Sequence, residues 1–410
     1  MFPALKNVPR MKAAIKIGRP PLIRQTNAEI LLRLLRESGP CSKADLVRAS
    51  GLSAPSVTNV VASLISIGLV ETVGEGDSTG GRPPGILRFK AEHGCVAAVE
   101  ITRNVIRFLL ADLNGREMIQ SDAPIEKSRS TPRHICRRIA KEICQLLRKR
   151  GLSRQKLFSL TVGVPAIVNV DDGTVLAFTP LEDWNRVSLG PMLARELKCP
   201  VLIDNDTNLA AQGEFHSGAA RGESDFVFIY VGEGVGAGVF LNGHIYRGSQ
   251  WSAGEIGYLL VPDVSREHPA IHRYGKLEQA LSASGILEAW RTRGHASRLR
   301  SRVLRATDVW DLAAAGNVRA KRILKQRATM LADVILDLAL ILNPNLILLG
   351  GDVGNHPALL REVNGLLEGS EFAVSRVELG TLGSPAVLLG AVLSSLEPTV
   401  LRLLQAPQRK

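Results

Sequence analysis

Ser56, Thr58 and Asn59 stand together in residues 53–66, a segment with no charged side chain. The asparagine amide offers a donor and an acceptor side by side, the pattern that matches the N6/N7 edge of adenine. The two hydroxyls can reach a base or a phosphate. Cations flank the segment at Arg24, Lys43, Arg48 and Arg82, and each can neutralise one phosphate of a duplex. Gly-Arg-Pro-Pro occurs twice, at 18–21 and 81–84. An arginine held extended by the prolines after it can enter a narrow A·T minor groove, and the same tetrapeptide also serves as a stiff linker.

These side chains need a scaffold. A helix is expected over residues 26–37, with Thr26 as N-cap and Ile30, Leu31, Leu34 and Leu35 on its inner face. Pro40-Cys41-Ser42-Lys43-Ala44-Asp45-Leu46 opens a second, short helix, and Gly51-Leu52-Ser53 makes a turn. A third helix follows over 53–66, with Ser53 as N-cap and Pro55 tolerated in its first turn. Val57, Val60, Val61 and Leu64 form its inward stripe, leaving Ser56, Asn59 and Ser63 outward. Gly68-Leu69-Val70-Glu71 then leads to a loop ending Gly80-Gly81-Arg82-Pro83-Pro84. Helix, glycine turn, helix and glycine-rich hairpin make a winged helix-turn-helix over residues 17–90, an element that binds double-stranded DNA. Residues 1–16 show no pattern and are expected to be flexible, and Met11 is an alternative start. Residues 1–90 carry thirteen Lys/Arg against six Asp/Glu, so +7 of the chain's net +12 sits on this element, as phosphate binding requires.

From residue 94 the pattern alternates strands and helices. Strands are expected at 95–101, 106–112, 157–164, 201–203, 226–231, 239–241 and 346–349. Helices are expected at 132–150, 207–214 and 318–342. Asn114-Gly115 and Asn242-Gly243 mark turns. Glycine loops close several strands, notably Gly232-Glu233-Gly234-Val235-Gly236-Ala237-Gly238. This is the grammar of an α/β body. Such loops can cradle phosphates or be plain tight turns. Asp204-Asn205-Asp206, just before a helix, can be an N-cap cluster or a polar ligand site.

Apolar residues make up 45% of the 410 and aromatics 4%, so folded, aliphatic cores are expected rather than disorder. The five cysteines include no C-x-x-C pair and read as reduced thiols. The start has no apolar leader core, and the apolar stretch 331–350 is interrupted by Asp333, Asp337 and Pro344. A cytoplasmic protein without a membrane span is expected.

The ordered set of Gly-Arg-Pro after the wing, Asn205-Asp206-x-Asn208, Ala253-Gly254-Glu255-Ile256-Gly257, Gly275-x-x-Glu278 and Asn343-Pro344 to Gly350-Gly351 resembles the ROK family (repressor, open reading frame, kinase), in its NagC/XylR-type transcription-factor branch. The resemblance runs from about Arg24 to Leu396. It implies a two-lobed actin-like, hexokinase-like (ribonuclease H-like) α/β body with a sugar between the lobes, the first lobe over 91–205 and the second over 206–410, the C-terminal helix returning to the first. Asp206 matches the family's catalytic base, and Asn205, Glu255 and Glu278 match its sugar-hydroxyl ligands. Carboxylates and amides suit a polyol because each engages adjacent hydroxyls. The family also implies dimers or tetramers, with helix 318–342 a candidate contact, although core packing explains its leucines equally well, and two heads on a dyad would read an inverted repeat.

The chain departs from the family pattern in several places. Aligned back from Asp112, the first phosphate loop (Asp-x-Gly-Gly-Thr in family kinases) reads Glu100-Ile101-Thr102-Arg103-Asn104, without its glycines. Glu233 replaces the threonine of the second loop. The zinc-ligand places are Tyr258, Pro269, Ile271 and Lys276, so no metal is expected; His268 and His272 read as surface residues. Tyr258, and Pro180 four residues before Trp184 where the family has asparagine, point to an altered ligand. The run Arg291, Arg293, Arg298, Arg300, Arg302, Arg305 is a solvated face or a second phosphate contact. The expectation is a DNA-binding regulator, a repressor of carbohydrate genes. Its effector is a sugar or sugar derivative bound without catalysis, with no ATP and no other cofactor, and Asp206 acts in binding only. The alternative is an ATP-dependent sugar kinase with an appended DNA-binding domain.

Overall fold

The computed structural model describes residues 20–75, 85–126, 130–177, 183–260, 275–292, 305–368 and 376–405. The chain divides into two units, Met1–Ala91 with Val400–Lys410, and Glu92–Thr399.

The first unit opens with α1 (Pro20–Ser38). This helix starts earlier than Thr26, which lies inside it and is not its N-cap. Pro20 and Pro21 carry the φ of a first helical turn and lack donors that would go unpaired there. The buried stripe is Ala28, Leu31, Leu32 and Leu35; Ile30 and Leu34 are half-buried, so the inner face is turned from the expected one. After β1 (Cys41–Ser42) comes α2 (Lys43–Ser50). Its start is a capping box: Ser42 Oγ accepts from the Asp45 N–H and Asp45 accepts from the Ser42 N–H. Gly51, at φ +68°, ends it. Helix α3 (Ala54–Ser66) buries Val57, Val60, Val61 and Leu64, as the pattern predicts. Strands β2 (Val70–Glu75) and β3 (Gly85–Phe89) pair antiparallel with β1 at the edge, in the order β1-β3-β2. This is the winged helix-turn-helix. The wing tip, residues 76–84, lies outside the described residues, and Arg82 with it.

Among the described residues, the second unit contains two five-stranded sheets and one two-stranded hairpin. In the first, β4 (Cys95–Ile101), β5 (Val105–Asp112) and β6 (Glu117–Pro124) form an antiparallel meander. Helix α4 (Pro132–Lys149) leads to β7 (Leu157–Val164), parallel to β4. The hairpin β8 (Ile167–Asn169) and β9 (Thr174–Ala177) and helix α5 (Leu189–Leu197) precede β10 (Val201–Asn205), parallel to β7. The order is β10-β7-β4-β5-β6.

Helix α6 (Asp206–Ser217) opens the second half. A second meander follows: β11 (Phe226–Val231), β12 (Val235–Leu241) and β13 (His244–Tyr246). Helices α7 (Lys276–Leu281), α8 (Ala283–Thr292), α9 (Ala306–Ala314) and α10 (Val318–Leu342) lead to β14 (Leu346–Gly350), parallel to β11. Helices α11 (Gly351–Gly354) and α12 (Pro357–Leu367) precede β15 (Arg376–Leu379), and α13 (Ala386–Gln405) ends the fold. The order β13-β12-β11-β14-β15 repeats that of the first sheet strand for strand, the doubled plan of the expected actin-like, hexokinase-like body. Each sheet buries its own aliphatic core with its helices.

Two positions differ from the sequence reading. Residues 232–238 are not one loop, because β12 begins at Val235 and runs through Gly236 and Gly238. Glycine is required there by α6, since a Cβ on Gly238 would lie 2.6 Å from that of Ala211. Trp184 is fully buried, with its indole N–H donated to Ser130 O (2.8 Å), and it does not line the cleft described below. Helix α13 is the one described helix long and apolar enough to cross a membrane. Its middle packs inside the second unit: Ser395 and Thr399 share hydroxyl bonds with Thr161 and Ser159 of β7, and Ser394 donates to Gln212 of α6.

Candidate functional site

A cleft of about 580 Å³ opens where the carboxyl ends of β4, β7 and β10 face the turns of the second sheet. Among the described residues, six carboxylates line it: Glu100, Asp206, Glu233, Glu255, Glu278 and Asp352. The described lysine and arginine side chains lining it are Arg103 and Arg107. Three of the four sequence-predicted ligand residues, Asp206, Glu255 and Glu278, therefore meet across one space, and Asn205 joins them at its wall.

The strand-to-helix junction at Asn205 positions the first pair. Asn205 is the N-cap of α6, its Oδ1 accepting from the Thr207 and Asn208 N–H groups at 2.8 and 3.1 Å. Its Nδ2 donates to Ala166 O at 3.1 Å. The capping role and the place at the cleft thus coexist, with one amide hydrogen left for a ligand. Asp206 opens the helix, and its Oδ1 accepts from the Thr207 N–H at 2.7 Å. Burial pushes its carboxyl up to about 6, against the downward pull of those donors.

Behind this pair lies a buried anchor, Asp204, whose arginine partner sequence reasoning missed. Asp204, 1% exposed, accepts from Arg247 Nη2 at 2.5 Å and Nε at 3.4 Å, and from the Asn205 N–H at 2.8 Å. Arg247 follows β13 in the second sheet and Asp204 is the penultimate residue of β10 in the first, so the pair ties the two sheets at the cleft. Glu214 was also missed. It is 1% exposed and accepts from the Ala219 and Leu382 N–H groups and Thr381 Oγ1. Neither signals itself in sequence, because their partners lie far along the chain.

Glycine geometry delivers Glu255. Gly254 sits at φ +87°, and a Cβ there would fall 1.9 Å from Ala237 O, so only glycine lets this loop close on β12. The Ala237 N–H donates to Gly254 O at 2.7 Å and completes the clasp. Glu278 lies in the first turn of α7 and accepts from the Val235 N–H at 3.3 Å. Burial pushes both glutamates up to about 7, and Glu255 is raised further by the charges of Glu278 and Asp206. Glu100 faces Arg107 across β4 and β5 and accepts from its Nη1 at 3.0 Å. Burial nonetheless lifts Glu100 to about 7, and Asp206 adds to the rise. Carboxylates held partly protonated near neutrality can both donate and accept, as contact with hydroxyl groups demands.

At the head of the first meander, Thr102 folds the turn onto itself. Its Oγ1 accepts from the Asn104 and Val105 N–H groups at 3.4 and 3.1 Å and donates to Val105 O. Tyr258 also lines the cleft. Trp251 does so with backbone φ of +56°, a left-handed conformation that costs a non-glycine residue about 1–2 kcal/mol.

In the first unit, Thr58 and Asn59 are exposed on α3, with Ala62 beside them. Ser56 and Ser63 are half-buried rather than outward, and the Ser56 hydroxyl bonds that of Ser53 at 2.9 Å. Lys43, Arg48 and Arg24 are exposed, Arg48 in an ion pair with Asp45. Of the arginine run, Arg305 pairs with Asp308 at 3.4 Å and Arg291 is exposed. Arg293, Arg298, Arg300, Arg302, Pro180, His268, Pro269, Ile271 and His272 lie outside the described residues.

Comparison with known proteins places this architecture. The ROK family profile matches residues 96–394, and the MarR family profile matches residues 29–72. The xylose repressor of Bacillus spizizenii is 25% identical over 342 residues, covering 83% of this chain and 86% of the relative. The glucokinase of Halalkalibacterium halodurans is 31% identical over 272 residues, covering 62% of this chain and 81% of that enzyme. Among solved structures, a ROK family transcriptional regulator, described as a homolog of the E. coli MLC protein, superposes with a TM-score of 0.77 at 24% identity, covering 94% of this chain and all of that one. With residues 96–394, most of its length, matched by one family profile, the chain belongs to the ROK family.

Proposed function

We propose that this chain is a DNA-binding transcriptional regulator, a repressor of carbohydrate transport or catabolic genes, whose kinase-like cleft takes a sugar or sugar derivative as effector without phosphorylating it. In this reading residues 17–90 hold DNA, through Asn59 and Thr58 at bases and Ser56, Lys43, Arg48, Arg24 and Arg82 at phosphates or the minor groove. Residues 91–205 and 206–410 form the two lobes around the effector. Asn205, Asp206, Glu255 and Glu278 bind its hydroxyls. The protein acts in the cytoplasm as a homodimer or homotetramer on an inverted repeat. Operator affinity falls on effector binding because the effector favours the state that releases DNA.

The observation that carries the reading is one chain holding an exposed α3 face of DNA-reading side chains and an acidic, polyol-suited cleft. Against phosphoryl transfer stands the Thr102 turn, whose own hydroxyl occupies the amides of Asn104 and Val105, where a phosphate would need free donors. Tyr258 and Lys276 cannot complete a tetrahedral zinc site, so the protein works without metal. A kinase reading has one point in its favour: Asp206, at about 6, is tuned as a general base would be.

Two measurements decide between the readings. A duplex selected by the full-length protein from a random pool should bind tightly and be released by one member of a sugar library that also raises the melting temperature. A coupled ADP-release assay over the same library should stay at background. Brisk sugar-dependent ATP turnover without duplex binding would establish the kinase instead.

A further inference from the structure

We propose that Trp251 is an aromatic platform on which the effector stacks, and that the effector is therefore a pyranose presenting an apolar C–H face rather than an open-chain polyol. The inference rests on the sugar reading of the cleft and narrows its ligand class.

Four tryptophans occur in the chain. Trp184, Trp290 and Trp310 are buried in the cores, at 0, 4 and 0% exposure. Trp251 alone is only half-buried, and it is one of the residues that line the cleft. Its backbone is left-handed, at φ +56°, a conformation that bulky side chains rarely adopt. An indole held there without entering a core is held for its face.

The loop that carries it is fixed at both ends. The Ala253 N–H donates to Arg247 O at 3.1 Å. Upstream, Arg247 is clamped on Asp204, two residues before Asp206. Downstream, Gly254 is clasped to Ala237, directly before Glu255. The ring is thus tied to the same backbone that aims Asp206 and Glu255. Its indole N–H has no hydrogen-bond partner among the described residues and remains a donor for a ligand oxygen.

The chemistry of the wall then selects the ligand. Carboxylates read hydroxyl edges, and an aromatic face reads a flat apolar surface. A pyranose with equatorial hydroxyls offers both, because its axial C–H bonds form a face perpendicular to the hydroxyl rim. An open-chain polyol keeps the hydroxyls and lacks the face.

The test uses the full chain, with D-xylose, D-glucose and methyl β-D-glucopyranoside as ring probes and xylitol and D-glucitol as open-chain counterparts. Calorimetry gives affinity, and acrylamide quenching of tryptophan emission reports Trp251, the accessible indole. A ring probe should bind, shield the emission from acrylamide, and exceed its open-chain counterpart by about tenfold. Trp251→Gly suits the backbone and should keep the wild-type melting temperature, yet bind the ring probe about tenfold more weakly, while Trp251→Phe restores binding to within about threefold. Unchanged affinity in Trp251→Gly, or emission still open to acrylamide in the complex, overturns the platform and leaves the sugar reading standing. Failure of every ring probe to bind the wild type overturns the sugar reading and the platform with it.

Discussion

Arg247 grips both oxygens of Asp204, joining the loop after β13 of one sheet to β10 of the other. The carboxylate is 1% exposed and the guanidinium side chain 26%. Removing one partner strands a buried charge, whereas replacing both with apolar groups need not. Arg247→Ala should destabilise the second unit by about 3 kcal/mol, the low end for a buried pair because the arginine keeps some solvent. Asp204→Leu with Arg247→Met should recover part of that loss. Urea unfolding of the two variants checks both statements.

The raised carboxyls make the second unit sensitive to pH. Glu255, Glu278 and Glu100 titrate near 7 and Asp206 near 6, all above their unfolded values. Between about pH 4 and 7 the folded state therefore holds more protons than the unfolded chain, so stability falls as pH rises through that window and levels off above it. The melting temperature should drop from pH 5 to pH 8. Glu255→Gln should melt higher than wild type at pH 8, with the advantage gone at pH 5. A melting series across that range is the measurement.

Asn59 and Lys43 should fail in different ways on DNA. Asn59→Ala should lose about 1–3 kcal/mol on the selected duplex and relax preference at one A·T pair, with little change on scrambled DNA. Lys43→Ala should weaken all duplexes alike and reduce the salt slope by about 1. Arg82→Ala should weaken chiefly sites with A·T-rich flanks, if the arginine enters the minor groove. Anisotropy titrations at several salt concentrations separate the three.

Gly254→Ala should abolish effector binding before it abolishes folding. The new methyl would fall 1.9 Å from Ala237 O on a backbone at φ +87°, so the loop must open by a cost of about 1–3 kcal/mol and swing Glu255 away. Calorimetry alongside circular dichroism distinguishes a mis-set loop from an unfolded protein.

Much of the scaffold was readable because local patterns were strong. The long helix Val318–Leu342, the strands Leu157–Val164 and Phe226–Val231 and the buried face of Ala54–Ser66 carry unmistakable periodicity and caps. Strand β6 went unread because seven of its eight residues are exposed or half-buried, which leaves no apolar alternation to see. Strand β12 was misread because its glycines serve the approach of α6, a contact invisible along the chain. Asp206, Glu255 and Glu278 were legible through motif order, while Asp204 and Arg247, 43 residues apart, were not. Trp251 carried no signal in spacing, since its backbone conformation is set by the clasped loop around it.

Helix α13 begins against α6, where Ala386 O crowds Gly213, and then crosses to β7, where Ser395 and Thr399 meet Thr161 and Ser159. This seam sets those hydroxyl pairs beside the buried Leu388, Val392 and Leu396 of the same helix, and Pro398 removes one rung of the helix there. Helix α13 thus holds contacts to both halves of the second unit, so any change of angle about the cleft has to be accommodated along its length.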